Sequence, residues 1–142
     1  MKIAVLNLSG NVGKTTVSAH LLKPRMVGAP FYSIESINVG AEADGLSVEK
    51  MQGRKFGALI DEMMPLDSAI VDVGASNVEE LLKRMQQYDG SHEELDFFVV
   101  PVVNEKKAIA DTVNTIRALQ KIGVERSRIR VVFNKMEDHG TG

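Results

Sequence analysis

A stretch near the amino terminus, LNLSGNVGKTT at residues 6–16, contains the residue types that bind phosphate. Glycines let a backbone turn tightly enough for several N–H groups to point at phosphate oxygens, and the start of a following helix adds partial positive charge. Gly10 and Gly13 can form that turn, Lys14 would lie against the outer phosphates, and Thr15 would offer its hydroxyl to Mg²⁺. The stretch therefore predicts a phosphate-binding loop (P-loop) for a nucleotide with Mg²⁺.

The loop departs from the usual P-loop pattern at its beginning. That pattern places a glycine five residues before Gly13, where this chain has Leu8. Asn11 stands where a second small residue is often found, and asparagine tolerates left-handed backbone angles better than other non-glycine residues. A structural turn before an ordinary helix is the alternative, but a strand before the loop and a helix after it favour the nucleotide site. The remaining candidates for nucleotide contact are Ser9, Val12 and Thr16.

A second candidate lies at the end of an apolar run, AIVDVGAS at residues 69–76. A carboxylate at the carboxyl end of a strand, here Asp72, can hold Mg²⁺ through a water, and Gly74 could present its backbone N–H to a γ-phosphate. Strand-ending aspartates also occur by chance, but the position of Asp72 after the P-loop favours the metal site. Thr15 and Asp72 are therefore the predicted metal ligands.

Short apolar strands alternate with helical segments along the chain, which is the order typical of a parallel α/β sheet. Five strands are predicted, over residues 2–8, 31–37, 68–73, 95–102 and 128–133. Helices are predicted over residues 14–22, 46–64, 77–88 and 106–122, the second with a break near Gly53 or Gly57. Gly123 follows the fourth helix as a C-cap glycine would. The sequence thus predicts an α/β protein with a mainly parallel sheet of about five strands flanked by helices.

The composition fits a single domain over residues 1–142, with 44% apolar and 25% charged residues. Seventeen Lys and Arg against nineteen Asp and Glu give a net charge of −2, so no overall basic field draws the chain to nucleic acid or to an anionic membrane. The absence of cysteine excludes disulfides and thiolate metal sites. With no recognisable signal peptide or transmembrane-length apolar run, the sequence favours the cytoplasm.

The segment NLSGNVGKTT resembles the deviant P-loop NQKGGVGKTT of the ParA/MinD family of partitioning and positioning ATPases. The matching residues are Asn7, Gly10, Val12, Gly13, Lys14, Thr15 and Thr16. The resemblance implies a three-layer P-loop NTPase fold, ATP and Mg²⁺ as cofactors, and ATP hydrolysis, which the departures at Ser9 and Ile37 are expected to make weak. It also implies a protein partner from a plasmid stability, partition or conjugative transfer system.

The family's signature lysine, which reaches across a dimer to the partner's nucleotide, is replaced here by Ser9. Serine cannot supply that charge, so both a monomer and an ATP-dependent dimer stay open, and a lysine restored at position 9 is expected to promote the dimer. Family members usually continue past the fifth strand, so the chain is a minimal version or a fragment. The amphipathic helix that carries MinD-like proteins to membranes is not present in these residues, and no direct membrane binding is expected.

Two further sites follow from the resemblance. The family's second strand ends in Asp-x-Asp-Pro, and this chain has Glu35 at the first aspartate and Ile37 at the second, which makes Glu35 a catalytic candidate beside Lys14. An exposed glutamate without a function is the alternative. Asn134 looks like the family's adenine-contacting asparagine, and the alternative is a turn asparagine.

Other patterns leave alternative functions open. NKME at residues 134–137 resembles the guanine-reading Asn-Lys-x-Asp of GTPases, with Glu137 in place of the aspartate. A basic cluster, Lys50, Arg54 and Lys55, could bind DNA, although such clusters are usually solvated faces. Because Ser9 and Ile37 lack the family's chemistry, a P-loop module that binds a nucleotide without hydrolysing it, as a scaffold for a partner, is the second functional class.

Overall fold

A computed structural model of the chain describes residues 1–10, 12–34, 49–51, 56–88 and 90–134. Six strands are present in these ranges: β1 Lys2–Val5, β2 Phe31–Ile34, β3 Glu49–Met51, β4 Ala69–Val73, β5 Phe97–Val102 and β6 Ile129–Phe133. They form one sheet in the order β3-β2-β4-β1-β5-β6, and every neighbouring pair is parallel. The predicted parallel α/β architecture is confirmed.

The same ranges contain four α-helices: α1 Lys14–Thr16, α2 Phe56–Met63, α3 Val78–Gln87 and α4 Lys106–Lys121. The first continues without a break as a π-helix over Val17–Leu22 and a 3₁₀ turn over Lys23–Arg25, and residues 14–25 together are called the α1 segment below. Within the described ranges, no helix combines the length and the apolar character needed to cross a membrane.

The two faces of the sheet are covered by different helices. Alternate side chains of the central strands, such as Ala4, Val71 and Phe98, pack in one core cluster with apolar residues of α2, α3 and α4. Side chains between them in sequence point to the opposite face. On that face Val5 and Val99 pack against the α1 segment. The strands β1, β2, β4 and β5 are therefore buried on both sides, as their nearly continuous apolar sequences predict, and the fold has three layers.

The predicted helix over residues 46–64 is wrong at residues 49–51. Residues 49–51 form β3, which pairs in parallel with β2, whereas Phe56–Met63 form α2 as predicted. A three-residue strand is too short to show a periodicity of its own, and its hydrogen bonds come from the edge of β2, which local sequence does not encode. The other predicted elements are present with shifted ends. The first strand, predicted to reach Leu8, ends at Val5.

The strand order places the carboxyl ends of β1, β4 and β5 side by side. Val5 at the end of β1 is paired with Asp72 of β4 and with Val99 of β5. From β1 the chain crosses through the α1 segment toward β2, whereas from β4 it crosses through α3 in the other direction to β5. Open α/β sheets bind ligands outside the strand ends where this reversal occurs.

Candidate nucleotide-binding site

The loop between β1 and α1 turns into its helix at Gly13. This residue has φ 82° and ψ 30°, a left-handed conformation that glycine adopts without steric cost. The helix starts immediately, because the Val17 N–H donates to the Gly13 carbonyl at 2.9 Å. A Cβ at position 13 would lie 1.7 Å from Nδ2 of Asn134. Glycine is therefore required here both by backbone conformation and by the close approach of another side chain.

The two ends of the glycine-containing turn have different surroundings. The Val12 side chain is fully buried against Val102, Val103 and Ala108, which anchors the loop to the end of β5 and the start of α4. Gly10 is exposed, and a Cβ built there would meet no atom within 4 Å. The loop backbone at Gly10 is thus open to the approach of a ligand, as a phosphate-binding turn requires.

Lys14 folds back over the loop that precedes it. Its Nζ donates a hydrogen bond to the Ser9 carbonyl oxygen at 3.0 Å, and its side chain is half-buried. This places a cation against the loop backbone at the beginning of the helical segment, where the helix dipole adds positive character. Thr15 follows within α1, and Thr16 is exposed. The arrangement suits an anionic ligand.

Asp72 lies on the face of the sheet that the α1 segment covers. Its neighbours in β4 pack on the opposite face, so the alternation of side chains along a strand directs Asp72 toward this segment. Only 2% of Asp72 is exposed. Its neighbour in the register of β2 and β4 is Ser33, which is also buried. Ser18 of the α1 segment is buried as well, and within the described residues its Oγ has no hydrogen-bond partner. These groups give an otherwise apolar layer a polar region, which fits a Mg²⁺ held by a carboxylate and phosphate oxygens.

Gly74 and Asn134 occupy positions beside the strand ends. The Gly74 N–H donates to the Ile34 carbonyl at 2.8 Å, so in this conformation it extends the β2–β4 pairing and does not point at a ligand. Asn134 follows β6, and its Nδ2 donates to the Val12 carbonyl at 3.2 Å. The structure therefore brings Asn134 directly onto the P-loop.

Several predicted residues lie outside the described part of the chain. These are Asn11, Glu35, Ile37, Arg54, Lys55 and Glu137, together with the side chains of Thr15 and Lys50.

A polar cluster that the sequence did not predict joins the loop to α4. Asn7 is fully buried, and its Nδ2 donates to the Pro101 carbonyl at 2.9 Å and to Thr112 Oγ1 at 2.8 Å. Thr115 Oγ1 accepts the Leu8 N–H at 3.0 Å. Thr112 and Thr115 share the buried stripe of α4 with apolar residues. A hydroxyl at a position where helical periodicity predicts an apolar side chain is the signal that could have revealed the cluster.

Ser9, at the position of the signature lysine, is turned into the protein. Only 4% of the residue is exposed, and its side chain lies beside the Asp111 carboxylate of α4. Lys107 Nζ donates to Asp111 Oδ2 at 2.8 Å, and this hydrogen bond, with a smaller contribution from the nearby Ser9 hydroxyl, holds the pKa of Asp111 below its ordinary value. The side chain of residue 9 therefore lies near a carboxylate.

Solved structures with a similar fold are MinD and McdA proteins. The MinD cell division protein of Aquifex aeolicus matches with a TM-score of 0.63 at 16% identity, over 99% of this chain and 71% of that one. The septum site-determining protein MinD of Pyrococcus horikoshii OT3, complexed with Mg-ADP, matches with a TM-score of 0.52 at 14% identity, over 93% and 68% of the two chains. An ATP complex of a McdA variant from Cyanothece matches with a TM-score of 0.51 at 14% identity, over 96% and 69%.

At these identities the likeness establishes the fold, and the predicted P-loop NTPase fold is confirmed. No protein-family model and no curated protein matches the sequence.

Proposed function

We propose that the protein is a nucleotide-switched ATPase of the ParA/MinD type that binds ATP with Mg²⁺ and acts through a protein partner. The observation that carries this proposal is the geometry of the loop between β1 and α1. Gly13 is left-handed at the start of the helical segment, and the Lys14 ammonium rests 3.0 Å from the loop carbonyl of Ser9. Backbone, helix start and cation thus meet in the arrangement that binds polyphosphates.

Two of the similar structures support the choice of nucleotide, since one holds Mg-ADP and another holds ATP. In this chain Lys14 would neutralise the outer phosphates, and Thr15 and Asp72 would hold Mg²⁺, which in turn would offset phosphate charge. Asn134, already placed against the loop, would contact the adenine. Gly74 would reach a γ-phosphate only after releasing the Ile34 carbonyl, and Glu35 is proposed to assist hydrolysis.

The biological setting is proposed from the sequence. Within the ParA/MinD family the chain looks most like StbB, the plasmid-stability ATPase of conjugative plasmids. We place its action in the cytoplasm, in plasmid stability, partition or conjugative transfer. ATP binding would change the affinity for the protein partner, and hydrolysis would reset it.

Replacing Lys14 tests the nucleotide site. Lys14→Ala should weaken Mg·ATP binding at least about tenfold, because a charge-assisted phosphate contact contributes roughly 1.5 to 3 kcal/mol. Isothermal titration calorimetry measures the affinity, and phosphate release with and without candidate partners measures hydrolysis. Lys121→Ala is the matched control, since this exposed lysine ends α4. Equal affinity in the wild-type protein and Lys14→Ala would show that the loop is not a nucleotide site.

A second candidate function is a nucleotide-binding scaffold, for ATP or GTP, that does not hydrolyse its ligand. The buried, inward-turned Ser9 favours it, because this residue offers no charge to a second nucleotide across a dimer. The scaffold function predicts that the wild-type protein binds Mg·ATP but releases phosphate no faster than Lys14→Ala does. Calorimetric competition between ATP and GTP would show which of the two nucleotides the protein prefers.

A further inference from the structure

Asn7 connects three elements at the point where β1 becomes the P-loop. Its two amide N–H groups are used by the Pro101 carbonyl of β5 and by Thr112 Oγ1 of α4. Its Oδ1 accepts the Ser9 N–H at 2.8 Å, so the side chain folds the backbone of residues 7–9 into a tight turn. The residue is completely buried, and its hydrogen bonds are therefore shielded from water.

Two threonine hydroxyls of α4 extend this hydrogen-bond network, and each of them has a fixed donor and a fixed acceptor. Thr112 Oγ1 accepts from Asn7 and donates to the Ala108 carbonyl at 2.7 Å. Thr115 Oγ1 accepts the Leu8 N–H at 3.0 Å and donates to the Asp111 carbonyl at 2.7 Å. Each hydroxyl thus both accepts and donates, and this leaves no freedom to rotate without breaking a bond.

We infer that Asn7, Thr112 and Thr115 are positioning residues for the nucleotide site, an inference that rests on the function proposed above. They occupy the N–H groups of Leu8 and Ser9, so the phosphate-facing amides must be those that come later in the loop. They also fix the Ser9 carbonyl, on which the Lys14 ammonium rests. The buried cluster therefore sets the starting position of the phosphate-binding lysine.

The physical advantage of this cluster is an ordered loop before the ligand arrives. A flexible glycine-containing loop loses conformational freedom when it closes around phosphate, and that loss weakens binding. A loop already held by buried hydrogen bonds loses less. Loosening the cluster should consequently weaken the affinity for nucleotide although none of the three side chains needs to touch it.

Removing one hydroxyl tests the inference. Thr115→Val keeps the shape of the side chain but leaves the Leu8 N–H without its partner, and we expect the Kd for Mg·ATP to rise about threefold to tenfold. Thr115→Ser retains the hydroxyl and should bind nearly as tightly as the wild-type protein. Thr112→Val, which removes a bond to Asn7, is the second variant should Thr115→Val fail to fold.

Ser91→Ala is the matched control for a lost buried hydroxyl. Ser91 is 6% exposed, and its Oγ donates to the Met85 carbonyl between α3 and the following 3₁₀ turn, in a part of the chain that does not contribute to the loop. This variant should lower the melting temperature without changing the Kd. Hydrogen exchange of the Leu8 amide, measured without nucleotide, should accelerate in Thr115→Val and stay slow in Ser91→Ala.

The outcomes separate this inference from the proposed function. Weaker binding in Lys14→Ala with unchanged binding in Thr115→Val and Thr112→Val would overturn the positioning role and leave the nucleotide site intact. Equal Kd increases in Thr115→Val and Ser91→Ala would also overturn it, because the effect would then follow stability alone. Unchanged binding in Lys14→Ala would overturn both.

Discussion

At the scale of single residues, Gly13 and Asn134 constrain each other across the site. Gly13→Ala would place a methyl group against the Asn134 amide and would also force alanine into a left-handed conformation, which costs about 1 to 2 kcal/mol. We expect the variant to be less stable than the wild-type protein in urea denaturation and to bind Mg·ATP poorly.

The double variant Gly13→Ala/Asn134→Ala separates the two causes, because it removes the collision and keeps the backbone strain. It should be more stable than Gly13→Ala alone, although Asn134→Ala by itself loses the hydrogen bond to Val12. Simple addition of the two single losses would mean that the side chains do not meet in solution.

The surroundings of Ser9 change the expectation for a restored signature lysine. A lysine at position 9 would lie beside the Asp111 carboxylate, and the two charges would attract each other on the inner side of the loop. Ser9→Lys alone should therefore remain as monomeric with ATP as the wild-type protein. Ser9→Lys/Asp111→Asn releases the lysine and should dimerise with ATP, which light scattering with and without nucleotide can measure. Equal dimerisation of the single and double variants would contradict the pairing with Asp111.

The residues that could be predicted from the sequence differ from the rest in the range of their contacts. Gly13 and Lys14 belong to a local unit of strand, loop and helix, so their spacing alone predicts the tight turn and a lysine at the start of the helix. Asn7 meets Thr112 at a separation of 105 residues, and Leu8 meets Thr115 at a separation of 107. No spacing rule covers such pairs, because the three-dimensional fold brings them together.

At the scale of elements, the same distinction explains β3. The long strands and α4 have enough residues to show an apolar period, whereas β3 has three residues and depends on pairing with β2. Residues 49–51 are included in a predicted helix because they precede the helical pattern of α2, where the prediction is right. Local sequence is thus enough to predict the type of each longer element, whereas β3 forms because it pairs with the neighbouring strand β2.

The edge strand β6 allows a matched test of burial within one sheet. Phe133 in β6 is 76% exposed, whereas Phe98 in the neighbouring strand β5 is completely buried. Phe98→Ala should lower the free energy of unfolding by about 3 to 5 kcal/mol through lost contacts and a cavity. Phe133→Ala should change it by less than about 0.5 kcal/mol. Urea denaturation measures both, and a comparable loss at Phe133 would show that this side chain is covered in solution.

At the scale of the whole molecule, the parallel sheet determines where chemistry can occur. The six strands of the described residues all run in the same direction, so the P-loop, Asp72 and Asn134 lie at the carboxyl-terminal end of the sheet although the sequence separates them widely. The alternation of strands and helices is enough to predict that ligands bind at this end of the sheet. The MinD and McdA structures resemble this fold at 16% and 14% identity, so the fold is retained with few identical residues.

The position of β1 also has a consequence for the time course of folding. The strand begins at Lys2, yet its neighbours are β4 and β5, which end at Val73 and Val102. During synthesis β1 can therefore pair with β4 and β5 only after Val73 and Val102 have been made, and it is unpaired and apolar until then. Such distant pairing slows folding and exposes an aggregation-prone segment meanwhile. The strand that carries the P-loop is thus made before both of the strands that enclose it.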